Sequence, residues 1–404
     1  MPNEMPDFRS RKIVPTDHTG LPGDDPASRR ASRGNQRLRK RATELLALAN
    51  VRENGWGDSD LIVHNERVFA RVFAHGSMGF GESYMDGDWD ARDLPGLMAK
   101  LLGAHLDERL HNFGSLLLWA QARFLNMQRG RRAYVVGQRH YDLGNDLFAA
   151  MLGERLVYSC GYWAKAVDLD SAQEAKLDLI CRKLQLRRGM RVLDIGCGWG
   201  EALKFAAERY GVSGVGITIS SAQAHYARKL CAGLPIEIRM QDYRSLHEQF
   251  DAVFSIGMFE HVGARNYQRY FDVVQRCLAP DGLSLLHCIG TNQAPNRPDP
   301  WIERYIFPNS QVPAMSQVAA ALETQFVVED WHNFGADYER TLLAWLANFD
   351  AAWPSLAARY DERFRRMWRF YLAASAASFH TRRDQLWQIV LSAQGIAGGY
   401  RAPR

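Results

Sequence analysis

The chain has 404 residues, 47% of them hydrophobic and 24% charged, with a formal net charge of +5. These proportions are close to globular averages and exclude a wholly disordered, collagenous or coiled-coil protein, while the length predicts two or three domains. Six cysteines without a Cys-x-x-Cys pair make neither a disulfide framework nor a zinc site, so reduced thiols in a cytoplasmic protein are expected, and no stretch approaches the ~18 apolar residues of a membrane span.

Residues 1–40 mix Pro, Gly, Asp and Arg without periodicity and read as a mobile basic tail. Seven cations fall in the thirteen positions from Arg29 to Arg41, which suits an anionic lipid surface at about 1 kcal/mol per cation. No basic stripe interleaved with aromatics follows, so nucleic acid is not expected as a partner. Residues 41–130 turn helical, in ATELLALAN, RDLPGLMAKLLGAHL and NFGSLLLWAQARFLNM. Between the first two lies GSMGFGESYMDGDWD, too irregular for either regular element. Residues 131–404 form the second domain, entered through QRGRRA. There RVLDI, VSGVGITI, IEIRM, DAVFSI and GLSLLHCI are short apolar runs separated by helical or turn-like stretches. Such alternation predicts an α/β domain with a parallel sheet covered on both faces. Beyond Ser310 the pattern is mostly helical again.

The sharpest local signal is VLDIGCGWG, residues 192–200, followed by the helix-like EALKFAAERY. A strand ending in alternating glycines lets the backbone approach a ligand beside a helix N-terminus. Dinucleotide sites favour G-x-G-x-x-G with an acid about 20 residues on. Here Gly196, Gly198 and Gly200 are spaced G-x-G-x-G, GVSGVGITIS ends without an acid, and the carboxylate, Asp194, lies inside the motif. That arrangement resembles the seven-stranded S-adenosylmethionine-dependent methyltransferases, implying a Rossmann-like seven-stranded sheet. Thr218, Ser220 and Gln223 are then placed to bond ribose hydroxyls, and Gln241, Asp242 and Tyr243 to meet the adenine.

From about Tyr134 to Ala393 the chain resembles the cyclopropane-fatty-acyl-phospholipid synthases. The matching blocks are HYDLGNDLF, YSCGYW, VLDIGCGWG, GITIS, QDYRSL, GMFEHVG, YFDVV, LLHCIG, PWIERYIFPN and EDWHNFGADYERTLLAWLANF, in that order. The first 130 residues resemble the family's small helical N-terminal domain. The resemblance implies methylene transfer from S-adenosylmethionine to the cis double bond of an unsaturated acyl chain in a membrane phospholipid, through a carbocation that loses a proton and closes a cyclopropane ring. It also implies a bound bicarbonate as proton acceptor, set among Cys160, Glu260, His287, Ile289 and Tyr338. Tyr158 and Ser159 of YSCGYW join the cofactor contacts, no metal is implied, and a homodimer is expected by analogy. Some family members instead leave a methyl branch, and other methyltransferases share the glycine loop with another acceptor.

The residues suit that chemistry. An alkene is a weak nucleophile, so the site must align it and exclude water. Aromatic faces can stabilise a desolvated cation by about 2 kcal/mol each, and Tyr158, Trp163, Phe259, Tyr305, Phe307 and Tyr338 are the candidate walls. Cys160 is expected to act through its backbone or small volume, since a thiolate would compete for the methyl group. Drawing ~10 methylenes into water would cost roughly 8 kcal/mol, so a continuous apolar channel is needed. Leu116, Leu117, Leu118, Trp119, Phe124 and Leu125, with Arg123, Arg129, Arg131 and Arg132, have the composition of a helix that docks on an anionic bilayer. Peripheral association with the inner face of the cytoplasmic membrane is the expectation.

Overall fold

The computed structural model describes residues 26–112, 144–293, 299–308 and 310–404. Helices α1 (Pro26–Leu48), α2 (Arg67–Met85), α3 (Leu94–Gly103) and α4 (Leu106–Asn112) form a module with an antiparallel pair, β1 (Ile62–Val63) and β2 (Trp89–Asp90). Helix α1 corrects the expected tail: the chain is already helical from Pro26, and Leu38 is wholly buried. Leu38, Ala42, Leu45 and Leu46 recur at helical spacing and pack one face of α1 into the core. The glycine-rich segment is also more regular than expected. Helix α2 runs through it to Met85 with one break at Gly76 (φ 57°, ψ −131°), a conformation glycine adopts without a Cβ penalty. The stretch 113–143, which contains the expected docking helix, its arginines and the QRGRRA linker, lies outside the described residues.

The second region begins with α5 (Asn145–Leu152) and α6 (Leu169–Lys183). Strands β3 (Arg191–Ile195), β4 (Ser213–Thr218), β5 (Ile236–Met240), β6 (Phe250–Ile256) and β7 (Leu278–Thr291) follow. Helices α7 (Glu201–Tyr210), α8 (Ser221–Leu230) and α9 (Tyr267–Cys277) connect them. Next come α10 (Pro300–Tyr305), α11 (Met315–Leu322), β8 (Val327–Asn333), α12 (Ala336–Leu356), α13 (Glu362–His380) and β9 (Asp384–Ser392). The seven-stranded sheet has the order β5-β4-β3-β6-β7-β9-β8. β3 to β7 pair in parallel, whereas β9 runs antiparallel to both β7 and β8. The sheet is therefore mixed, and the mostly helical reading beyond Ser310 missed two strands. In β9 Leu386, Trp387, Ile389, Val390 and Leu391 are all buried, so no alternation marks it; β8 is a polar edge strand.

The strand order reverses between β3 and β6, where open α/β sheets place their ligand crevice. The sheet has a separate apolar core on each face. A third core joins the N-terminal module to α12 and α13, so residues far apart in sequence bury one another. Trp89 stacks on Phe80 at 4.2 Å, and Phe370 of α13 meets Trp301 at 4.6 Å. Arg366 of α13 sits 4.1 Å over the Tyr84 ring, donating to the Trp89 carbonyl at 2.8 Å and to Asp90 at 2.7 Å. The two regions expected as separate domains thus share a core.

Candidate active site

At the carboxyl end of β3, Gly196 (φ 91°), Gly198 (φ 53°) and Gly200 (φ 93°) all have left-handed backbones, which is why the motif needs glycine. A Cβ on Gly196 would lie 2.7 Å from Met258. The loop delivers the chain into α7, so the N-terminus of that helix follows the carboxyl end of β3 directly. Asp194 is buried, its Oδ1 has no hydrogen-bond partner, and desolvation pushes its carboxyl up to about 8.

On β4 and the start of α8, Thr218 Oγ1 donates to Gln223 Oε1 at 2.9 Å, and Ser220 caps α8 by accepting from the Gln223 amide. The three expected ribose contacts are thus already held together. At the β5 end, Asp242 accepts from the Arg244 backbone and side chain, both at 2.9 Å, and its pKa is lowered chiefly by that side chain. Asp242 therefore also braces its own turn. Gln241 Nε2 donates to Ser245 at 3.0 Å, and Tyr243 stands edge-on to Tyr270. Between them Ile219 is 81% and Met240 60% exposed, two apolar side chains at adjacent strand ends. Bare apolar surface beside a glycine cradle fits a flat nucleoside, and the sequence reading had not singled these two out.

The second cluster lies at the ends of β6 and β7. Glu260 follows β6 in a short 3-10 turn and is buried. Its Oε1 accepts from the Ile289 amide at 2.7 Å, while Oε2 has no partner. Burial pushes this carboxyl up to about 7. His287 and Ile289 share one face of β7 by strand periodicity. His287 is buried, and desolvation, with Lys176 and Lys183 nearby, holds its pKa well below 6.5, so the ring is neutral. β9 places Gln388 opposite it in register, with Gln388 Nε2 3.3 Å from His287 Nδ1. Nδ1 accepts there, the ring proton sits on Nε2, and Nε2 has no partner.

Tyr338, in the first turn of α12, is buried, and burial followed by the fields of Tyr371, Cys160 and Glu260 raises its phenol far above the usual range. Cys160 is wholly buried, its thiol kept protonated by desolvation and bonded to the Gly161 carbonyl at 3.1 Å. The Cys160 loop is fixed by Thr341 Oγ1, which accepts from the Gly161 amide at 3.1 Å and from Trp163 Nε1 at 2.9 Å. Glu260 is thus tied to the Ile289 backbone, and the fields of Glu260 and Cys160 both reach Tyr338. Glu260 keeps an unpaired carboxyl oxygen, and His287, on the neighbouring strand, an unpaired imidazole N–H. Among the described residues no group of His, Cys, Asp or Glu could hold a metal ion.

The aromatic walls divide. Tyr158, Phe307 and Tyr338 fall in one network with Trp345 and Tyr371: Tyr158 lies 5.3 Å from Trp345 and 6.4 Å from Phe307, and its hydroxyl meets that of Tyr371 at 2.7 Å. Phe148 bridges Tyr158 at 5.3 Å to Trp199 of the glycine loop at 5.2 Å, so this network reaches the cofactor crevice. Trp163 is pinned between Thr341 and Arg340. Two candidates belong elsewhere. Phe259 stacks on Tyr267 at 4.3 Å within the core on one sheet face, and Tyr305 donates to Glu82 of the N-terminal module at 2.8 Å. Phe148, Trp345 and Tyr371, from helices whose periodicity marks them only as core, and Trp199 of the glycine loop join the network instead.

Residues 128–389 match the mycolic acid cyclopropane synthetase family. The chain is 51% identical over 364 residues to the cyclopropane-fatty-acyl-phospholipid synthase of Escherichia coli strain K12, covering 90% of this chain and 95% of that protein. It is 32% identical over 401 residues to the tuberculostearic acid methyltransferase UfaA1 of Mycobacterium tuberculosis, covering 91% of this chain and 93% of that protein. Among solved structures, mycolic acid cyclopropane synthase CmaA1, complexed with SAH and CTAB, superposes with a TM-score of 0.59 at 31% identity, covering 63% of this chain and 96% of that one.

Proposed function

The chain belongs to the mycolic acid cyclopropane synthetase family and is an S-adenosylmethionine-dependent methyltransferase acting on unsaturated lipids; we propose that its acceptor is the cis double bond of an acyl chain in a membrane phospholipid and its product a cyclopropane ring. The observation that carries this reading is that Glu260 and His287 are each buried with an unpartnered polar atom, and that Tyr338, coupled to Glu260, opens a run of aromatic rings that reaches the glycine loop.

The glycine cradle, Asp194 and the strand ends at Thr218 and Gln241 hold S-adenosylmethionine, which supplies an electrophilic methyl group. The alkene's electron pair forms the new carbon–carbon bond as the carbon–sulfur bond breaks, and S-adenosylhomocysteine leaves. Loss of one proton from the transferred methyl group gives the electron pair that closes the ring, so the lipid gains CH2. Tyr158, Phe307, Trp345 and Tyr371 exclude water and present aromatic faces to the developing charge. The departing proton is strongly acidic, so its acceptor needs position more than basicity.

His287 Nε2–H and the Tyr338 hydroxyl are donors suited to an oxyanion, and Glu260 Oε2 either accepts a hydrogen bond from it or, when protonated, donates one. Bicarbonate held by these groups and by the Cys160 and Ile289 backbone would accept the proton. Cys160, its thiol protonated, cannot compete for the methyl group. Peripheral contact with an anionic bilayer at the inner face of the cytoplasmic membrane, and a homodimer, complete the proposal. It is supported by the cations from Arg29 to Arg41 and by the absence, among the described residues, of any helix long and apolar enough to cross a membrane.

Incubation with unsaturated phosphatidylglycerol–phosphatidylethanolamine vesicles and S-adenosylmethionine carrying only a trace of radiolabel in its methyl group should add 14 Da to the acyl chains. The product should resist catalytic hydrogenation that saturates alkenes. A 14 Da gain that still takes up hydrogen would mean a methylated chain without a ring. No gain on lipid, with label passing to a soluble acceptor, would reject the assignment.

A further inference from the structure

Helix α6 carries two fully buried polar side chains one turn apart, Gln173 and Lys176, and both reach the same residue of the YSCGYW turn. Gln173 Nε2 donates to the Ser159 carbonyl at 2.8 Å, and Lys176 Nζ donates to the Ser159 hydroxyl at 2.9 Å. No carboxylate lies within salt-bridge distance of Lys176 in the described structure, so the Ser159 hydroxyl is its one direct polar contact there. Burying an ammonium with so little compensation is costly, and burial drives its pKa down to about 7.

The titratable groups whose fields couple to it come from every side. Asp194 stands on β3 and Glu201 on α7, at the glycine loop, whereas Cys160 shares the YSCGYW turn with Ser159 and His287 stands on β7. Arg155, four residues before Ser159, donates to Glu201 at 2.7 Å, so the segment that Lys176 holds lies against the start of α7. The polarity of its bond to Ser159 also matters. With Nζ donating into Oγ, the Ser159 hydroxyl proton is left free to donate away from the helix.

We propose that Lys176 is a positioning residue for the methyl donor: with Gln173 it clamps Ser159 so that the serine hydroxyl points its proton at the bound cofactor. This rests on the reading of the glycine-loop crevice as an S-adenosylmethionine site. The α6 residues are not expected to touch substrate.

The test is a double-mutant cycle on the full chain, read by calorimetric titration with S-adenosylhomocysteine. Lys176→Met and Ser159→Ala should each weaken binding about tenfold, and the double variant should be no weaker than either, because both delete one interaction. In vesicle turnover, Lys176→Met should raise KM for S-adenosylmethionine about tenfold and leave KM for the lipid within twofold, a split that general loss of structure does not give. Ser159→Ala leaves α6 intact and keeps the test decisive if Lys176→Met folds poorly. Wild-type affinity in both single variants, or losses that multiply in the double variant, would overturn the clamp while leaving the enzyme assignment standing. Failure of the wild-type chain to bind S-adenosylhomocysteine would overturn the cofactor reading and the clamp together.

Discussion

Glu260 has one carboxyl oxygen on a backbone amide and the other buried without a partner, an arrangement that costs stability and fits the proposed role in proton transfer. Replacing it by glutamine keeps the shape and the Ile289 contact but removes the titratable oxygen. Glu260→Gln should lower turnover by about a hundredfold or more with S-adenosylhomocysteine affinity near wild type; equal loss of both would mark the residue as structural. Its linkage to stability follows from the raised pKa. The folded state holds the proton more tightly than the unfolded chain, so this contribution is fully present below the usual glutamate value of 4.5 and is lost as pH rises through about 7. Glutamine has nothing to lose there. The melting temperature of the variant relative to wild type should therefore climb from about pH 4.5 to pH 7 and then level off, and a pH-independent difference would contradict the raised pKa. Glu260, His287, Ile289, Cys160 and Tyr338 are candidates in the sequence because each stands in a family block, and their roles belong to the proposal. Gln388 and Lys176 are not candidates there, since what singles them out is a neighbour on another element.

Among the elements, the strands with clear boundaries, such as β3 and β5, were legible from their apolar runs and the turns around them. β9 was not: buried on both faces, its LWQIVLS run lacks the alternation that separates strand from helix. α2 was misread for the opposite reason. Its glycines look like loop signals, yet Gly76 bends the helix, Gly79 lies against the α2 backbone at Arg71, and Gly81 admits another element. A Cβ on Gly81 would lie 2.5 Å from Trp301 of α10. Gly→Ala inside a helix usually stabilises by about 1 kcal/mol. Here Gly81→Ala should instead destabilise by about 1–3 kcal/mol through overpacking, read as a lower denaturant midpoint at unchanged slope; a gain in stability would show that the α2–α10 contact is loose.

In the whole molecule, the N-terminal module, α12 and α13 bury one core, and α12 carries both Tyr338, coupled to Glu260, and Trp345 of the aromatic network. The N-terminal module and the region that carries the candidate site are therefore joined through one core, a property no local sequence pattern conveys because it pairs residues near position 85 with residues near 366. That construction suits the proposed reaction, in which a charged intermediate is shut away from water while its proton leaves by one route. The decisive measurement is the bicarbonate dependence of turnover on unsaturated vesicles in buffer freed of carbon dioxide. Activity should fall to a small residue and return saturably as bicarbonate is added, with Glu260→Gln needing a higher concentration for half-restoration. Full activity in the depleted buffer, unchanged by added bicarbonate, would contradict a bound anion as the proton acceptor.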